Sequence, residues 1–82
     1  MTKEEELYYE SYFDLFIHSG WKQFISDIQD SIAIYRIEDI KDEAHLKTVQ
    51  GNLQTLQRIA SFEDSIRNTY DQILEAENAE AI

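Results

Sequence analysis

The chain has 82 residues and a mass of 9.7 kDa, with 17 Asp+Glu against 7 Lys+Arg, a formal charge of −10 and a pI near 4.3. One small domain spanning 1–82 is the most this length allows, and so acidic a chain, with no basic patch, repels phosphate backbones and argues against direct DNA or RNA binding. The absence of Cys excludes a disulfide scaffold, a thiolate zinc site and a cysteine nucleophile. No apolar run approaches the ~20 residues of a membrane span, and the acidic opening Met1-Thr2-Lys3-Glu4-Glu5-Glu6 lacks the layout of a signal peptide. With 43% apolar and 12% aromatic residues, the chain has enough material for a core.

Pro is absent and the only glycines are Gly20 and Gly51, which points to a few long helices and an all-α fold. Thr2-Lys3-Glu4-Glu5 reads as a capping box in which Thr2 accepts from the backbone N–H three residues on and Glu5 reaches back. An aromatic N-terminal helix is predicted over about 3–17, broken by His18-Ser19-Gly20 with Ser19 as the next N-cap. Trp21, Phe24, Ile25, Ile28, Ile32 and Tyr35 recur every three or four residues, so a second helix runs over about 20–36. The charged stretch 37–42 is a short connection, with Asp39 or Asp42 capping the next helix.

A long segment over about 43–75 carries a Leu46, Val49, Leu53, Leu56, Ala60 seam. That seam changes phase at Ile59, Phe62, Ile66, Tyr70, Ile73. Either one helix carries a stutter or two are kinked near 61, with Ser61 as an N-cap; the kink is preferred. The short loop between the second and third segments makes them an antiparallel helical hairpin. The tail 76–82 has helix propensity without a stripe and is expected to fray. Mid-helix Gly51 costs roughly 1 kcal/mol relative to Ala, which suggests close approach of another helix or of a ring such as Trp21 or Tyr35. The helix-packing set is therefore Phe24, Ile28, Gly51, Leu53 and Leu56.

Catalytic chemistry is hard to place on these residues. His18 and His45 have no helical partner histidine, and the Glu38, Asp39, Asp42, Glu43 cluster lacks the alternating ligands and central Gly of a calcium loop. His18 beside Ser19 does not make a nucleophile and base, because sequence neighbours rarely face each other. No Gly-rich phosphate loop exists. The expectation is a non-enzyme without metal or cofactor.

The first helix carries the strongest signal. At about 100° per residue, Tyr8, Tyr9, Tyr12, Phe13, Leu15, Phe16 and Ile17 sweep an arc of roughly 200°, twice what packing on one neighbour needs. Eight of the ten aromatics lie between positions 8 and 35. Rigid rings are enriched at protein interfaces, so Tyr8, Tyr9, Tyr12, Phe13, Phe16 and Trp21 form the candidate partner-binding face. Half-exposed tyrosines are the simpler alternative. A domain this short also gains from self-association, so a homo-oligomer is expected. The carboxylates read first as a solubility shell and second as an array imitating DNA phosphates.

Phe16-Ile17-His18-Ser19-Gly20-Trp21-Lys22-Gln23-Phe24-Ile25, Gln50-Gly51-Asn52-Leu53-Gln54-Thr55-Leu56 and the pair Phe62-Glu63 resemble a group of small helical proteins of short-tailed (podovirus-type) marine bacteriophages. The likeness spans roughly 8–75 and brings no established activity with it. It implies a phage product located in the virion or the host cytoplasm, a small virion or assembly component binding portal, capsid or tail machinery or itself. The alternative is an early inhibitor of a host enzyme or defence complex, with acidic DNA mimicry as one route. A cellular adaptor or antitoxin-like dimer needs no phage origin.

Overall fold

The computed structural model describes residues 1–80, and among these the fold is all-α, with no strand. Helix α1 spans Lys3–Phe16. Thr2 Oγ1 accepts the Glu5 N–H at 3.1 Å, and the Glu5 carboxylate accepts from the Thr2 hydroxyl at 3.2 Å, so Glu5 reaches the cap's side chain and not its backbone. Helix α2 spans Ser19–Ile34, with His18 as its N-cap. The imidazole Nδ1 accepts the Gly20 N–H at 2.9 Å, which displaces Ser19 from the capping role into the first helical turn. Gly20 makes this possible: a Cβ there would stand 3.0 Å from Nδ1. The helix stops at Ile34, two residues before the predicted end, because Tyr35 turns to extended backbone.

A single 3-10 turn, Ile37–Asp39, leads to helix α3, Glu43–Ala60. Asp42, of the two candidate caps, accepts the His45 N–H at 2.7 Å, while His45 Nδ1 accepts the Lys41 N–H at 3.1 Å. The long segment is two helices, with α4 spanning Phe62–Glu80. Ser61 does not act as the predicted N-cap. Its hydroxyl donates backwards to the Gln57 carbonyl at 2.7 Å and so helps to close α3. The helix continues through the stretch expected to fray as far as Glu80, and Glu77 pairs with the Met1 ammonium. Positions 81 and 82 of that stretch lie outside the described residues.

Contacts pair early residues with late ones in steady retreat. Met1 meets Glu77, Tyr9 meets Tyr70, Trp21 meets Glu63, and Tyr35 shares a groove with Leu46. Such a ladder describes two antiparallel rods, α1–α2 and α3–α4, with α1 along α4 and α2 along α3. Both rods break at nearly the same level, near 17–18 and at 61. The molecule measures 57 × 29 × 17 Å, and among the described residues the Cα traces of α1 and α3, and of α2 and α4, nowhere approach within 8 Å, so the helices lie in one layer two helices wide.

The core is small and lies at one end. Tyr9, Phe16 and Ile66 are buried, with Tyr12, Phe13, Trp21, Phe62, Tyr70 and Ile73 partly buried around them. All three buried residues belong to α1 and α4; α2 and α3 contain none. Gly51 does not admit a neighbour. A Cβ there would meet nothing within 4 Å, so the expected close approach of Trp21, Tyr35 or a helix is absent.

Candidate protein-interaction surface

The six rings singled out as a partner face separate into distinct environments. Phe16, at 2% exposure, and Tyr9 are core residues held between α1 and α4. Their spacing of seven puts both on the stripe of α1 that faces α4. Tyr12, Phe13 and Trp21 are half-buried, and Tyr8 is 50% exposed. Of the six, the surface therefore shows Tyr8 and the outer edges of Tyr12, Phe13 and Trp21. Among the packing residues, Ile28, Leu53 and Leu56 are half-buried, whereas Phe24 is 42% exposed and touches Trp21 with ring centroids 6.0 Å apart.

The α1–α4 seam has two edges of opposite character. On one, Tyr12 meets Phe62 edge-on at 5.2 Å and Tyr8 meets Tyr12 at 5.0 Å. Residues three, four and seven apart share a helix flank, so Ser11 and Leu15 extend this row on α1, and Ser65, Thr69 and Ile73 extend it from Phe62 on α4. From Tyr8 to Leu15 on α1 and from Phe62 to Ile73 on α4 these rows carry no charge; by the same spacing Glu4 and Glu5 precede Tyr8 and Glu80 follows Ile73, so carboxylates close the flank at that end. The Ser11 hydroxyl donates to the Leu7 carbonyl at 2.9 Å, and that of Thr69 to the Ser65 carbonyl at 2.9 Å. Those hydroxyls already have acceptors, so covering them leaves no unpaired donor. The Tyr8 phenol is held above its ordinary value, by desolvation first and then by the Tyr12 and Tyr9 phenols beside it.

The opposite edge is charged. Phe13 meets Tyr70 edge-on at 5.0 Å, and the Arg67 guanidinium lies over the Phe13 and Phe16 rings at 5.3 and 5.4 Å. Arg67 Nε donates to Glu63 at 3.0 Å, and the Trp21 indole N–H donates to the other oxygen of the same carboxylate at 3.1 Å. Burial by itself would raise Glu63; the bonds from Trp21 and Arg67, with the charges of Arg67 and Lys22, outweigh it and hold the carboxyl below its usual range. Glu6, Glu10 and Glu77 gather with Met1 around an open depression on this edge.

No protein-family model, no curated protein and no solved structure matches this chain. Its surface speaks only through its own chemistry. Among the described residues no three His, Asp or Glu side chains converge as metal ligands would, and no helix is long and apolar enough to cross a membrane. The neutral flank centred on Tyr8, Tyr12 and Leu15 is the best-formed candidate site. Leu15 belonged to the aromatic arc in the sequence but not to the candidate face, and its 40% exposure leaves an aliphatic group open beside Tyr8 and Tyr12. The Trp21–Glu63–Arg67 network had one visible signal, the Glu63/Arg67 spacing of four.

Proposed function

We propose that this chain is a non-enzymatic protein-binding module: a small bacteriophage virion or assembly component that docks on portal, capsid or tail machinery, or on itself. The phage setting rests on the resemblance of 16–25 and 50–56. The binding role rests on one observation, an open stretch of rings and small side chains, uncharged from Tyr8 to Leu15 on α1 and from Phe62 to Ile73 on α4, in which the Ser11 and Thr69 hydroxyls already have acceptors. Mass spectrometry of purified particles and of infected cells tests it. A virion component appears in particles at a small stoichiometric multiple of the portal. Absence from particles, with abundance in infected cells, refutes the virion role.

A second reading, an early inhibitor of a host enzyme by acidic mimicry, is favoured by the carboxylates Glu6, Glu10 and Glu77 collecting on the edge away from the neutral flank. Binding through that edge weakens steeply with salt and survives Leu15→Glu. Binding through the neutral flank does the reverse.

A further inference from the structure

We propose that the occupant of the neutral flank is a second copy of this chain, placed by a two-fold axis so that α1 and α4 of one copy cover α1 and α4 of the other. This deepens, and rests on, the protein-binding reading above. Three independent observations select this occupant.

The first is area. The chain exposes 6541 Å², whereas a compact monomer of 9.7 kDa exposes roughly 5,100 Å². Obligate homodimers bury about 2,000 Å² or more in total, about 1,000 Å² from each copy, which the surplus of roughly 1,400 Å² accommodates. The second is layering. A stable domain needs two packed layers, and this one supplies a single layer two helices wide. Face-to-face pairing of copies completes a four-helix arrangement at the end where the core already lies.

The third is charge. Two copies at −10 each bring together −20 in all, and pairing is tolerable only where the contact holds no carboxylate. Within the Tyr8, Tyr12, Leu15, Phe62, Thr69, Ile73 surface that condition is met, with Glu4, Glu5 and Glu80 bounding it at one end, and the two-fold axis sets the same uncharged stretch of both copies together, as an isologous contact requires. Glu6, Glu10, Glu63 and Glu77 lie on the far edge and point away from the partner. A basic partner is drawn to that far edge instead.

Sedimentation equilibrium of the full chain across the micromolar range, in low and high salt, decides the matter. Pairing gives twice the 9.7 kDa chain mass, and association strengthens as salt screens the repulsion between acidic copies. Leu15→Glu and, separately, Tyr8→Glu weaken it by roughly 30-fold or more, with helicity by circular dichroism unchanged because both side chains are exposed. Ile17→Glu is the control, since Ile17 is 71% exposed and shares the charged edge with Glu6, Glu10 and Phe13; it leaves pairing intact. A wild-type chain that stays at monomer mass up to several hundred micromolar overturns the second copy as occupant, whatever the variants do. It leaves the protein-binding reading to the particle experiment. A dimer broken by Ile17→Glu but not by Leu15→Glu or Tyr8→Glu overturns the assignment of this face, as does association that weakens with salt.

Discussion

Phe16 and Leu15 are neighbours in sequence and have opposite fates. Phe16 lies among Tyr12, Trp21 and Phe62 under the Arg67 guanidinium, and its removal takes out the centre of a three-residue core. Truncating a buried Phe costs about 3–5 kcal/mol, a large share of the stability of any small domain. Phe16→Ala is therefore expected to abolish cooperative thermal unfolding by circular dichroism, and Leu15→Ala to leave it within a few degrees of wild type. The 200° arc was legible in the sequence, but which part of it faced α4 was not. That choice belongs to the pairing of rods, and every residue of the arc is apolar enough to fill either place. Glu63 offers a pH test with a definite sign. Its carboxyl is depressed in the folded state, so its stabilising contribution is complete above the ordinary carboxylate value and disappears as pH falls through the lower folded one. Trp21, the only tryptophan, donates to that carboxylate, so its emission should change in this acidic window. In Glu63→Gln the change in that window should vanish.

At the scale of the elements, helix ends and glycines carry the predictions. Gly51 lies mid-helix in open space, so Gly51→Ala relieves backbone entropy without a clash and should stabilise the fold by about 1 kcal/mol, raising Tm by about 4–8 °C. Had a ring or helix packed there, the same change would destabilise, and a thermal melt separates the two. His18→Ala removes the α2 cap and should cost about 1 kcal/mol; His18→Asn keeps a side-chain acceptor and should restore most of it. The sequence showed the helical periods, the break at 18–20 and the Asp42 cap. It hid which polar residue takes each cap. Ser19 is the commoner capping type, but His18 reaches the Gly20 N–H because no Cβ stands in its way. Ser61 likewise has an N-cap identity, yet its hydroxyl finds the free Gln57 carbonyl one turn back.

For the molecule as a whole, shape and stability are uneven. The Cα radius of gyration is 17.8 Å, against about 12 Å for a compact chain of this length. Because Tyr9, Phe16 and Ile66 all belong to α1 and α4, amide hydrogens of Lys3–Phe16 and Phe62–Glu80 should exchange more slowly than those of Ser19–Ile34 and Glu43–Ala60. Equal protection along both rods would show that the α2–α3 half has cover which the single chain does not supply. An elongated single layer was not legible from the sequence, since periodicity describes each stripe but not which stripes meet. The phase change at Ser61 was the one trace of it, because the seam rotates there from facing α2 to facing α1.

The matched breaks in the two rods also make the molecule modular in length. Everything beyond the Trp21–Glu63 latch is an arm joined to the aromatic end by only two short junctions. Seven residues added to α2 and seven to α3 would extend that arm by about 10 Å and return nearly to the same helical phase. Tyr8, Tyr12, Leu15 and Phe62 would stay where they are. Length can thus vary while the aromatic end is kept, as with a bracket made in several sizes for one bolt pattern.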